Sequence, residues 1–170
     1  MFYRIDFCDE EAAYLLLSGY SPQDFDGHKL ESGWKGARCE LVEGELNDFL
    51  HCELGAPACN ERVENAIEKY IGEEIEFLPI ETWGGDRFYL MNPLVVCDCL
   101  SLKSSLFDAL PSGKIFSIDK HVLLLDSISA NFVFKIKQTA HVEIFCTEKF
   151  RELIEGDGLS GVDFIPVEVE

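Results

Sequence analysis

Positive charge is scarce in this chain. Its 170 residues carry 14 lysines and arginines against 32 aspartates and glutamates, a formal net charge of −18. Such a field repels DNA and RNA, whose binding rests on cations that neutralise phosphates. Long apolar runs are also missing. Leu15–Leu17 is far short of the ~20 apolar residues of a membrane span. The opening MFYRIDFCDEE puts acids where a secretory signal needs bases. A cytoplasmic location is expected, with neither nucleic acid nor membrane as partner. Phosphate loops are lacking too. GWKG at 33–36 and WGGD at 83–86 have neither the glycine spacing nor the Lys-Ser/Thr ending of a P-loop. GDGLSG at 156–161 follows a helical stretch, whereas the dinucleotide fingerprint opens one. No cofactor is expected.

Cysteine, by contrast, is abundant. Seven is an odd number, so the cysteines cannot all pair within one chain. Their neighbours are mostly apolar, as in Phe7-Cys8, Val96-Cys97 and Phe145-Cys146, which points to buried, reduced thiols. Cys97-Asp98-Cys99 lacks CxxC spacing, and Cys39, Cys52 and Cys59 supply no second knuckle, so no metal is expected. With four histidines, chance cysteine–histidine pairings are plentiful. His121 and His141 fall in or beside apparent strands and His28 in a loop. Carboxylate pairs are equally common in so acidic a chain. No catalytic residue is assigned, and the chain is not read as an enzyme.

The most informative positive feature is an internal correspondence. Residues 59–81 (CNERVENAIEKYIGEEIEFLPIE) align without a gap on residues 146–168 (CTEKFRELIEGDGLSGVDFIPVE). Asn60 and Thr147 stand where N-caps belong, with Glu61 and Glu148 suiting the positive helix end. Val63, Ala66, Ile67 and Tyr70 recur at helical spacing, as do Phe150, Leu153 and Ile154. Gly72, and Gly156 or Gly158, offer stops. Short strands follow around Phe77 and Phe164. Pro79 and Pro166 cannot donate to a ladder and belong at a strand end or edge. The reading is one helix-turn-strand unit used twice, as shared core architecture.

Elsewhere, strands are expected at 2–7, 38–43, 46–50, 114–118, 121–125, 131–138 and 141–146, and a short helix at 10–18. In 131–138, Phe132, Phe134 and Ile136 alternate with Val133, Lys135 and Lys137. Residues 19–36 form a long loop rich in Gly, Ser, Pro and Asp, of a length often associated with function. Many short, mostly antiparallel strands with at least two helices make an α+β protein. Charge is uneven as well: 101–150 holds five acids and six lysines, a net of +1, which leaves −19 for the rest.

Several pieces in this order resemble a known family: IEFLPIET at 75–82, DRFYLMNPLVVCDCLSLKSS at 86–105 and EKFRELIEGDGLSGVDFIPVE at 148–168. Tyr89, Asn92, Asp98 and Ser104 or Ser105 stand at corresponding places of its central stretch. The chain is similar, over about 45–168, to immunity-protein family eleven of bacterial polymorphic toxin systems. The resemblance implies a non-enzymatic protein that binds a cognate toxin domain in the cytoplasm and blocks it. A basic toxin would suit the acidity. Residues 1–44 are expected to form a variable strand-and-loop segment, in one compact unit with 45–170.

On this reading the partner-binding residues are Asp24, Asp26, Trp34, Trp83 and Asp86. Tryptophans flanked by acids make good interface anchors, and equally each indole can fold back over the core. An adaptor or chaperone for a secreted effector is the alternative, and a cysteine-dependent hydrolase a third. The partner is a toxin or effector protein, and the chain is a monomer or a homodimer.

Overall fold

The computed structural model describes residues 1–7, 14–17, 19–42, 44–52, 56–82, 85 and 87–170. Strand β1 (Phe2–Asp6) opens the chain. Strands β2 (Tyr14–Leu17), β3 (Ala37–Val42), β4 (Phe49–Cys52) and β5 (Ala58–Asn60) lead to helix α1 (Glu61–Ile71), then β6 (Ile75–Thr82) and β7 (Arg87–Pro93). Strands β2 to β7 close into a barrel in the order β2-β3-β6-β7-β5-β4. Next come β8 (Val96–Cys97), a hairpin of β9 (Leu106–Ala109) and β10 (Ile115–Lys120), β11 (Val122–Leu123), β12 (Val133–Ile136), β13 (Phe145–Thr147), helix α2 (Glu148–Gly156) and β14 (Asp163–Val169). Their six-stranded sheet runs β11-β14-β1-β13-β12-β8. The architecture is α+β, and mostly β.

One expectation changes. The helix expected at 10–18 is strand β2 over its described part. β2 pairs antiparallel with β3 and parallel with β4, so it closes the barrel. Ladders on both sides outweigh the small helical preference of so short a segment. The strands are mostly antiparallel, as expected, with a parallel minority. Among the described residues eight strand pairings are antiparallel. The other four are parallel. Parallel pairs join strands distant in sequence, which local pattern does not reveal.

The two aligned stretches lie in different sheets and differ in detail. Asn60 caps α1, its side chain accepting from Val63 N at 3.1 Å. Thr147 holds the N-cap position of α2 as expected, but its side chain makes no capping bond; its hydroxyl donates to Asn131 O at 2.8 Å. Their prolines sit alike. β6 pairs with β7 along its length, but the parallel β3 ladder begins at Ile80, one residue past Pro79. β14 pairs with β1, and the parallel β11 ladder begins at Glu168, two residues past Pro166. Each proline thus lies inside a strand, on a side where the second partner has not yet joined, and its missing N–H costs no ladder bond.

One core joins the barrel to the sheet. Phe49, Cys59, Ile75 and Met91 from the barrel pack with Tyr3, Ile5, Val133 and Cys146 from the sheet. Between them lie Val63, Ile67 and Ile71 of α1 and Phe150 and Ile154 of α2. Truncating such a side chain costs roughly 2–5 kcal/mol. Asp48 ties the same junction with polar bonds, accepting from Asn60 Nδ2 and Arg62 Nη1 at 2.9 Å each and from Ser160 N at 2.9 Å. Gly161 (φ +93°) passes so close to the Phe49 carbonyl that no Cβ fits there.

Six cysteines (Cys39, Cys52, Cys59, Cys97, Cys99 and Cys146) are buried thiols. Cys8 lies outside the described residues.

Candidate functional site

The loop at 19–36 is a pinned strap. Two short 3₁₀ turns, Pro22–Phe25 and Glu31–Gly33, give it shape. Phe25 is fully buried in the barrel's own core, with Leu50, Leu78, Ile80 and Leu90. Beyond it the backbone crosses the seam between barrel and sheet. Asn92 Nδ2 donates to His28 O at 3.0 Å. Leu30 N and Glu31 N donate to the Glu76 carboxylate at 2.9 and 2.7 Å. Gly27 (φ +102°) lies against Val96 with no room for a Cβ. From the sheet side, the Lys135 ammonium donates to Phe25 O.

Lys135 departs from expectation. Alternation places it on the polar face of β12, yet it is 0 % exposed. Its face of the sheet is covered by the strap, which turns an outward position inward.

The strap presents three of the five proposed partner-binding residues. Asp24 is exposed and accepts from Ser21 N at 2.7 Å, closing a capping box on the first turn. Asp26 is exposed and paired with His28 Nδ1. The hydrogen bond and charge from His28 hold the Asp26 carboxyl below its ordinary range, and Asp26 raises His28 in turn. Trp34 is half-buried. Its ring stacks on Tyr20 (4.5 Å between centroids) and its Nε1 donates to Pro79 O at 2.8 Å. Of the two roles open to Trp34, this geometry gives it a covering one, closing the exposed side of Pro79. Trp83 and Asp86 lie outside the described residues.

Sequence reasoning missed the concavity beside the strap. A groove of about 270 Å³ runs between the strap, α1 and the start of β6. Glu31, Glu64, Glu68, Glu73 and Glu76 line it, with Lys29. The available signal was the i, i+4 spacing of Glu64 and Glu68 on one helix face. Burial holds Glu64 above the usual carboxylate range; the charges of Glu68 and Glu61 add to it and a hydrogen bond from Tyr89 opposes it. Like charges thus crowd this side of the groove.

Several groups of the kind that hydrolysis or metal binding uses have partners within the fold. The Cys97 thiol interacts with Cys99 and with Ser129 Oγ at 3.7 Å. The hydrogen bond with Cys99 pulls Cys97 below the ordinary thiol value, and the same bond pushes Cys99 above it. His121 Nε2 pairs with Glu143 at 3.1 Å and packs edge-on against Phe145. Asp98, one of the residues at a family-like position, pairs with Lys137 at 2.9 Å. Ser104 Oγ and Ser101 Oγ donate to Glu170 at 2.8 and 2.6 Å, holding the C-terminal strand end. Among the described residues no group of three His, Cys, Asp or Glu side chains could hold a metal ion. Among the same residues no helix is long and apolar enough to cross a membrane.

Residues 39–169 match a family model described as Immunity protein family (Imm11). No curated protein matches the chain.

Proposed function

The chain belongs to the Imm11 immunity protein family, and we propose that it binds a cognate bacterial toxin domain in the cytoplasm and neutralises it without catalysis of its own. The family match across 39–169 carries this reading. The pinned strap supports it, because a binding surface held in shape before contact loses less entropy on association. The acidic groove supports a basic partner: carboxylates on both sides of the strap steer a cationic surface and select against acidic ones.

The proposed contact surface is the strap with its exposed Asp24 and Asp26, the rim at Trp34, and the 83–86 turn with Trp83 and Asp86. Residues 1–44, which include the strap, supply partner specificity, while the helix and strand elements at 59–81 and 146–168 serve as scaffold rather than as two ligand sites.

The test is coexpression with the product of the adjacent gene. A stable complex that rescues growth is the expected result. Binding without rescue points to an effector adaptor instead. The absence of both removes the proposed function for this chain.

A further inference from the structure

The β9–β10 hairpin stands apart from both sheets as a two-stranded sheet of its own. Its inner side is anchored, with Ile115 and Ile118 packing on the core cluster around Cys97, Phe134 and Phe145. Phe107, opposite Ile118, is partly buried as well. The outer side is open and mixed, with the Ser117 hydroxyl donating to Asp108 at 3.3 Å among exposed apolar side chains. Leu106 is 60 % exposed, Leu110 47 % and Phe116 61 %. Leu102, 60 % exposed, lines a shallow depression with Gly113, Lys114 and Ile115 beside the hairpin tip. Scattered exposed leucines need no explanation, but three large apolar side chains on one short hairpin form a concentration typical of an interaction surface.

Charge decides what covers it. Residues 102–120 carry Lys103, Lys114 and Lys120 against Asp108 and Asp119, a net of +1, while the whole chain is at −18. Two copies meeting through their acidic faces set like fields against each other. Meeting through this arm, they bury apolar surface on near-neutral segments. We propose that the hairpin is a self-association surface, through which a second copy of this chain docks and leaves the strap face free. The contact is face to face rather than strand edge to strand edge. Register shifts between Ile115 and Ser117 and between Ile118 and Lys120 break the β10 ladder, and lysines flank the strand, which blocks edge pairing. Stable dimers bury ~800 Å² per partner. One hairpin face offers less than that, so the association is weak.

Sedimentation velocity over about 1–500 µM, the range suited to an interface of this size, is the experiment. The expected result is a monomer–dimer equilibrium that tightens with added salt, because screening relieves the mutual repulsion of two anionic chains. Binding of a basic toxin at the acidic face weakens with salt, so the two contacts respond oppositely. Phe116→Lys and Leu106→Lys alter exposed side chains and leave the fold intact by circular dichroism. Each is expected to weaken dimerisation at least tenfold while growth rescue is unchanged. A chain that stays monomeric at high salt and high concentration overturns the proposal, as does a dimer that both substitutions leave intact. Loss of rescue by Phe116→Lys in a monomeric chain also overturns it, and assigns the hairpin to the toxin.

Discussion

Lys135 and Phe25 are 110 residues apart in sequence and meet in the interior, the buried ammonium donating to the main-chain carbonyl. Phe25 plugs the barrel and β12 belongs to the other sheet, so this bond fastens the strap across the seam. Burial lowers the Lys135 amine to about 8, with the charge of Asp26 opposing. The unfolded value is near 10.4. Between these values the unfolded chain holds a proton that the native chain has released, so Lys135 makes stability rise with pH. The rise is at most ~3 kcal/mol. Urea midpoints of the wild type and Lys135→Met, compared from pH 7.5 to 10.5, should diverge in favour of the wild type as pH increases. A pH-independent difference would refute the coupling. Other groups titrating there are common to both proteins and cancel.

Glu76 holds the far end of the strap through Leu30 N, Glu31 N and Asn92 Nδ2. Glu76→Gln removes the charge from three hydrogen bonds, and a loss of about 2 kcal/mol is expected. Hydrogen exchange at Leu30 and Glu31 should accelerate more than exchange in β7. Uniform acceleration would mean that Glu76 acts on the whole fold rather than on the strap.

Asp48 links β4, α1 and the turn before β14. Burial alone would raise its carboxyl, but hydrogen bonds from Asn60, Ser160 and Arg62, with the Arg62 charge, outweigh burial and hold it low. A depressed carboxylate contributes stability above its unfolded value of ~3.9 and loses it as pH falls through the lower native value. Asp48→Asn should cost about 2 kcal/mol at neutral pH. The gap to wild type should close as pH drops below 4. A gap that persists in acid would assign the cost to packing instead.

Trp34 joins a structural and a proposed binding role, and two substitutions separate them. Trp34→Phe keeps a ring to stack on Tyr20 and removes the bond to Pro79 O, for about 1 kcal/mol. Trp34→Ala removes both and should lower stability further. If the strap rim is the toxin contact, Trp34→Ala weakens binding at least tenfold in calorimetry, under conditions where the variant is folded. Equal affinity of wild type and both variants would place the contact elsewhere.

Much of the fold was readable from local pattern. Asn60, the apolar spacing of α1 and Gly72 mark a helix from its own residues, and β3, β7 and β14 alternate or run apolar as strands do. Strand β2 was not readable, because four residues carry too little periodicity and their state is set by two partner strands. Thr147 was readable as the N-cap position of α2, but not the orientation of its hydroxyl, which donates to Asn131 O, 16 residues away. The candidate site was legible only as a long acidic loop with a tryptophan. That the loop is pinned depends on Glu76, Asn92 and Lys135, which lie between 45 and 110 residues from their strap partners.

The amino-acid sequence by itself determined the charge field, the alternation of short strands with two helices, and the motif order that the family match shares. These follow from composition and from neighbours within a few residues, where chain geometry leaves few choices. Tertiary structure alone decided which acids face solvent and which hold backbone, which lysine is buried, and where a loop becomes a fixed surface. Those outcomes depend on contacts between residues distant in the chain, and burial, not residue type, sets whether a charge serves as anchor or as field.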